Sequence, residues 1–295
     1  MNDIDSFLKY IKYEKRYSEF TVRSYTTDIR QYESFCLKEY GILDLSGLDV
    51  KPIRAWIISL MDQGLSPRSV NRKISCLRSF YKFLLKEGRL VSNPMEKIVR
   101  PRNRKKLPGF VDADSMDELL DHFEFGENFE GVRNRMIIEM FYQTGLRRTE
   151  LIQLKIRDYN REEGWLKVLG KRNKERAIPL SNSFIHAFEG YLKTRNEEFP
   201  GNSDSFVFVT RKGLQAYPKL IYRVVHKYLS FVTTLEKKSP HVLRHTFASQ
   251  MLNRGGNINA IKELLGHASL SATQIYTHNT FEKLKQVYNQ AHPRA

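Results

Sequence analysis

Three stretches in the second half of the chain concentrate arginine, histidine and tyrosine, side-chain types able to bind an anion, move a proton or supply a hydroxyl. The first is TGLRRTELIQL, residues 144–154. Thr144 and Gly145 interrupt an apolar helical run, and helical spacing resumes from Thr149, so Arg147 falls at a helix start where backbone N–H groups also point outward and favour an anion. Glu150, three residues on, shares that face and can pair with or orient an arginine. The second stretch is HVLRHTFASQML, residues 241–252, in which His241 and Arg244 lie three apart and project the same way from a helix, two donors for one phosphate oxygen. His245 falls on another face, a structural position. The third is LLGHASLSATQIYTH, residues 264–278, where His267 follows a glycine stop and Tyr276 comes nine residues later. With 15 tyrosines in the chain, spacing alone does not select Tyr276. Other chemistries lack their signatures: there is no GxxxxGK[ST] phosphate loop, no HExxH or paired-cysteine metal spacing, and no GxSxG elbow.

The elements that must position these residues divide the chain in two. Up to about residue 100 the pattern is helical. Ser18 caps a helix carrying Phe20, Val22, Tyr25, Ile29, Tyr32 and Phe35; a second runs over about Pro52–Asp62; a third begins after Ser66-Pro67 and stops at Gly88. The third buries Val70, Ile74, Leu77 and Phe80 on one face and sets Arg68, Arg72, Lys73, Arg78 and Lys82 on the other, with no acid between Asp62 and Glu87. That basic face is a candidate DNA contact. Residues 101–108, PRNRKKLP, form a proline-punctuated linker with Arg102, Arg104, Lys105 and Lys106 and no acid, suited to lie along a phosphate backbone. From 109 to 295 the class is mixed. Helices are expected at about Ala113–His122, Val132–Gln143, Arg148–Leu154, Ser183–Thr194, Pro218–Thr233, Val242–Asn253 and Ala260–His267. A hairpin of Gly164–Leu169 and Glu175–Leu180 is joined by the turn GKRNK, and a third strand is expected at Phe206–Thr210. The fold class is therefore mainly α with a small β component.

Composition fits that reading. The 295 residues carry 49 Lys and Arg against 33 Asp and Glu, a formal charge of +16, which asks for a large anionic partner. Apolar residues make up 41 % and charged residues 28 %, the balance of a globular chain. No apolar run reaches 18 residues, and the acidic start MNDIDSFLKY is unlike a secretory signal. Cys36 and Cys76 sit in apolar helical stretches as buried free thiols. These features point to a cytoplasmic protein without membrane insertion.

The set TGLRRTEL, GKRNKERAIPL, HVLRHTFA and LLGHASLSATQIYTH, in that order, resembles the tyrosine recombinase (phage integrase) family. The intervals fit too: Lys171 lies 24 residues after Arg147, His267 lies 23 after Arg244, and Tyr276 nine further on. The stretches YSEFTVRSYTTDIRQYESF and SPRSVNRKISCLRSFYKFLLKEG look like the family's core-binding helices, and the size, linker and ending VYNQAHPRA look closest to bacterial Xer-type members.

The resemblance implies a SAM-like core-binding bundle (1–100), a basic linker (101–108) and a mixed α/β catalytic domain (109–295). It implies Tyr276 as the nucleophile forming a 3′-phosphotyrosine, Arg147 and Arg244 on the non-bridging oxygens, Lys171 as general acid, and His241 and His267 assisting proton transfer, with no metal or other cofactor. Alignment on TGLR selects Arg147 and leaves the adjacent Arg148 for backbone phosphate or Glu150. Likewise Lys171 matches its motif, and Arg172 and Lys174 on the same turn are candidate DNA contacts. The implied partners are double-stranded DNA, a homo- or hetero-tetramer on two synapsed sites, and a septal DNA translocase. The implied role is chromosome dimer resolution through a Holliday junction, against a mobile-element integrase or invertase and a non-catalytic architectural protein. A C-terminal helix at about Phe281–Ala291 is expected to dock on a neighbouring protomer or fold back on its own domain.

Overall fold

The computed structural model describes residues 2–47, 49–102, 109–170, 174–201, 206–266 and 278–295. The chain separates into two compact units, Met1–Lys106 and Leu107–Ala295.

In the first unit, capping residues set where each helix begins. Asn2 accepts from the Ile4 amide at α1 (Asp3–Lys9), which runs on as a π-helical turn to Glu14. Ser18 caps α2 (Glu19–Tyr40), Asp49 caps α3 (Val50–Asp62) and Ser66 caps α4 (Pro67–Lys86), whose first residue is a proline with no amide to satisfy. α2 ends at Gly41 in the left-handed conformation, φ 67°. The apolar stripes meet in one core containing Phe7, Ile29, Tyr32, Trp56, Ile74, Leu77 and Phe80. Helix α1 was not singled out by periodicity, yet Ile4, Phe7 and Ile11 are each buried in that core. Cys36 and Cys76 are free and buried, and burial pushes both thiols up.

One expectation for this unit is corrected. Lys73 does not stand on the basic face; it is 5 % exposed. Its ammonium donates to Asp28 at 3.0 Å and to Gln31, and lies 5.6 Å from the centre of the Trp56 ring. Asp28 on α2 is fully buried and also accepts from Arg72, so the carboxylate is a fixed charge that captures both neighbours. Helical spacing could not reveal this, because the partner lies 45 residues away.

The second unit is built round α6 (Phe129–Thr144), buried without a break from Met136 to Thr144, so that Glu139 and Gln143 are enclosed along with its apolar residues. α5 (Ala113–Asp117), continued as a π-helical turn to His122, precedes it; α7 (Arg148–Gln153) follows. A three-stranded antiparallel sheet comprises β1 (Tyr159–Asn160), β2 (Trp165–Leu169) and β3 (Glu175–Pro179) in that order, with Leu166 opposite Ile178 and Val168 opposite Arg176. Then come α8 (Asn182–Glu198), α9 (Pro218–Val232), α10 (Pro240–Asn253), α11 (Ile258–Leu264) and α12 (His278–Ala291).

Phe206–Thr210 is not the third strand. Its hydrogen bonds go to unrelated partners, the Val207 amide to the Leu154 carbonyl and the Phe208 carbonyl from the Ala216 amide, so no ladder forms. The sheet is completed instead by the two residues of β1. Helix α12 folds back on its own unit: Leu284, Tyr288 and Ala291 pack with Phe247, Met251, Ile261, Leu264 and Leu265. The Tyr288 hydroxyl donates to Gln143 at 2.7 Å, a His292 ring nitrogen lies 3.1 Å from the Tyr142 carbonyl, and Arg294 pairs with Asp117 and Asp121. Burial holds His292 down at about 4, so the ring is neutral at physiological pH. None of the described helices is long and apolar enough to cross a membrane.

Replacing Asp28 by alanine strands the buried Lys73 charge, and is expected to destabilise the helical unit by about 3–5 kcal/mol. Chemical denaturation in a Trp165→Phe background, where Trp56 reports alone, measures it. An unchanged midpoint would show that the pair contributes nothing.

Candidate active site

The site is assembled at the C-terminal end of α11. A helix of this kind leaves its last carbonyls without amide partners and carries negative partial charge there. Three arginines from three other elements meet those carbonyls. Arg176 on β3 donates its Nε–H to the Leu264 carbonyl at 2.7 Å. Arg244 on α10 donates to the Leu265 carbonyl and, at 2.6 Å, to the Gly145 carbonyl. Arg147, the N-cap of α7, donates to the Gly266 carbonyl at 2.9 Å.

Gly145 makes this approach possible. It ends α6 in the left-handed conformation, φ 59°, and a Cβ there would lie 2.7 Å from Phe247 and 2.9 Å from Leu265.

Glu150 neutralises part of the cluster. Its Oε1 accepts from Arg147 at 2.7 Å and Arg176 at 3.1 Å; its Oε2 accepts from the Arg147 amide and from Arg176, both at 2.8 Å. Burial opposes the carboxylate's charge, but the Arg176 and Arg147 contacts outweigh it and hold the group at about 2. Arg244, 8 % exposed, is brought down to about 10 by burial and then by the like charges of Arg147 and Arg176, so it remains cationic at neutral pH. A guanidinium has five N–H donors. Arg147 and Arg244 each direct two at described partners, and Arg147 remains partly exposed, its side chain at 31 %.

His241 is exposed one turn before Arg244 on α10. His245 bonds Ser249 and stacks near Phe110, the structural position expected of it. Arg148 is exposed, and Glu150 is taken by Arg147 and Arg176 rather than by Arg148. Lys174 is exposed at the base of the hairpin turn, its carbonyl accepting from the Gly170 amide. Lys171, Arg172, His267 and Tyr276 lie outside the described residues, as do Arg104, Lys105 and Lys106.

On the helical unit, Arg68, Lys82 and Arg102 are exposed, and Arg72 is half-exposed beside Asp28. Arg78 is directed at the Ile98 carbonyl, 3.0 Å away. Among the described residues, no group of three or more His, Cys, Asp or Glu could hold a metal ion.

The residue that motif reading missed is Arg176. Its signal was the strand itself: in ERAIP, position 176 shares a face with Ile178, so the register turns a charged side chain inward.

Glu150 titrates at about 2 in the folded chain against an ordinary 4.5. Between those values the unfolded chain binds more protons, so this contribution is present above about pH 4.5 and is lost as pH falls towards 2. Glu150→Gln is expected to flatten the acid limb of the stability–pH curve by on the order of 3 kcal/mol. Superimposable wild-type and variant limbs in urea titrations would contradict the saturated carboxylate.

Two family models match the chain. Residues 109–283 match the phage integrase family and residues 4–88 the phage integrase N-terminal SAM-like domain. Tyrosine recombinase XerC of Chlorobaculum parvum is 38 % identical, covering 99 % of this chain and 94 % of the relative. Tyrosine recombinase XerD of Staphylococcus haemolyticus is 36 % identical, covering 99 % of each. Among solved structures, the Tn1549 transposon integrase in complex with transposon right end DNA has a similar fold, with a TM-score of 0.73 at 19 % identity over 97 % of this chain and 99 % of that one. XerH site-specific recombinase bound to palindromic difH substrate also gives 0.73, at 23 % identity over 96 % and 83 %. With both halves matched and relatives similar from end to end, the chain belongs to the phage integrase family of tyrosine recombinases.

Proposed function

We propose that the chain is a site-specific DNA recombinase of the Xer type, and that its chemistry is centred on the arginine cluster at the end of α11. The supporting observation is the convergence of Arg147 and Arg244 on adjacent carbonyls, each with N–H donors that no described residue takes. Two fixed cations with fork geometry match the non-bridging oxygens of a phosphodiester and stabilise the extra charge of a pentacoordinate transition state.

The reaction needs a nucleophile and a proton donor besides. Tyr276, ten residues beyond Gly266 in the chain, is assigned the attack on phosphorus. A phenol ordinarily loses its proton near pH 10, and neighbouring guanidinium charge favours its anion. Attack forms a phosphotyrosine at the 3′ end and breaks the bond to the 5′ oxygen, which leaves with a proton from Lys171. His241 and His267 are assigned to proton transfer and to hydrogen bonds with the phosphate. Rejoining is the same step reversed, with a 5′ hydroxyl from the other duplex attacking the phosphotyrosine. The ester conserves the phosphodiester energy, so rejoining requires no nucleotide hydrolysis.

In this reading residues 1–100 and 109–295 are the two DNA-binding domains and 101–108 the linker between them. Arg68, Arg72, Lys82, Arg102, Arg148 and Lys174, with the cations at 104–106 and Arg172, supply phosphate contacts. Two duplexes require a tetramer, of one or two kinds of subunit, and the cellular role is chromosome dimer resolution with a septal DNA translocase as partner.

A duplex nicked beside the cleavage point, which loses a short fragment and traps the covalent intermediate, tests the assignment. Wild type is expected to form an adduct and Tyr276→Phe none; an adduct with the variant would name a different nucleophile. Arg147→Ala and Arg244→Ala are each expected to slow adduct formation by about 10²–10³-fold. Duplex affinity should fall steeply between about 50 and 200 mM salt, by roughly 0.9 in log–log slope per neutralised phosphate. A flat response would remove the phosphate contacts from the proposal.

A further inference from the structure

We infer that Arg176 is a positioning residue of strand cleavage: it saturates Glu150 and fastens it to the end of α11, which keeps Arg147 presented to the phosphate. The inference rests on the recombinase reading above and adds a residue to it.

Three observations carry it. First, Arg176 is 3 % exposed on the core face of β3, and its guanidinium makes a two-pronged contact with Glu150 while its Nε–H reaches the Leu264 carbonyl. One side chain thus ties the hairpin to the start of α7 and the end of α11.

Second, Glu150 has about four acceptor sites, and all are taken: two by Arg176, one by the Arg147 amide and one by the Arg147 side chain. This occupancy limits Arg147 to a single side-chain bond with Glu150. Without Arg176, both carboxylate oxygens are open to the Arg147 fork. The guanidinium would then turn onto Glu150 in the preferred bidentate geometry, away from the Gly266 carbonyl and the substrate.

Third, the guanidinium lies against two glycines. A Cβ on Gly266 would be 3.1 Å from the Arg176 Nη1, and one on Gly170 would be 3.6 Å from the same atom. In sequence, Gly170 immediately precedes Lys171 and Gly266 immediately precedes His267. Arg176 therefore abuts the residue from which each of those two proposed catalytic segments departs.

Lysine cannot substitute. Its ammonium is a single point donor that keeps the charge but cannot span Glu150 and the Leu264 carbonyl as a planar fork does.

The test measures single-turnover adduct formation on the nicked duplex, with duplex affinity and thermal stability measured on the same full-length proteins. Arg176→Lys is expected to stay folded, to bind duplex within about threefold of wild type, and to cleave about 10²-fold more slowly, the scale of a catalytic group misplaced by about an ångström. In Arg176→Met, Glu150 keeps only the Arg147 contacts and its carboxyl rises. The acid limb of the pH–rate profile should then move upward relative to wild type, and adding Glu150→Gln should abolish that displacement. A purely structural role would lower stability and binding together and leave the shape of the profile unchanged, which would overturn the inference. Wild-type cleavage by a folded Arg176→Lys would also overturn it, and this variant decides the matter if Arg176→Met does not fold. Failure of the wild-type protein itself to form an adduct would instead overturn the recombinase reading.

Discussion

Three like charges gathered in one half-buried place repel one another, and the second unit is arranged around the acceptors that hold them there. The negative end of α11 offers three successive carbonyls, and Glu150 adds a full charge whose four acceptor sites are occupied. Neither acceptor suffices alone. The carbonyls are dipoles that fix direction, while the carboxylate offsets charge. Between them the arginines are immobilised without being fully neutralised, the condition that the proposed action on a phosphate requires.

The surrounding fold serves that arrangement from two sides. On one, the β-hairpin, α7 and α10 bring in Arg176, Arg147 and Arg244. On the other, α12 closes over Phe247, Leu264 and Leu265, so the same turn of α11 that receives the guanidinium groups is packed from behind. The Tyr288, His292 and Arg294 contacts extend this backing to α5 and α6. Gly145 lies where the two sides meet, its carbonyl facing Arg244 and its missing side chain making room for Phe247 and Leu265.

Much of this was legible from sequence, for reasons that differ residue by residue. Helix boundaries at Ser18, Ser66 and Gly145 were readable because caps act over one turn. Arg147 and Glu150 were readable as partners because they are three residues apart. Lys73 and Arg176 were not, since what decides the fate of a long basic side chain is a carboxylate elsewhere in the chain, 45 residues distant for one and 26 for the other. In the sequence Lys73 looked like one cation in a surface row, and Arg176 was only one position of the expected strand Glu175–Leu180. The segment Phe206–Thr210 misled for a related reason: a buried apolar run specifies burial, whereas a strand also needs a neighbour in register, and here the neighbours are scattered.

Because the acceptors at Leu264, Leu265 and Gly266 are main-chain atoms, codon changes at those positions leave the oxygen atoms in place, whereas a single change at any of the three arginines deletes its half of the contact. Inherited variation can therefore damage this centre directly through its donors, and through its acceptors only by displacing the backbone. In a comparison of natural variants, strict invariance at the arginines beside looser apolar exchange at 264 and 265 would be the trace of that lopsided vulnerability.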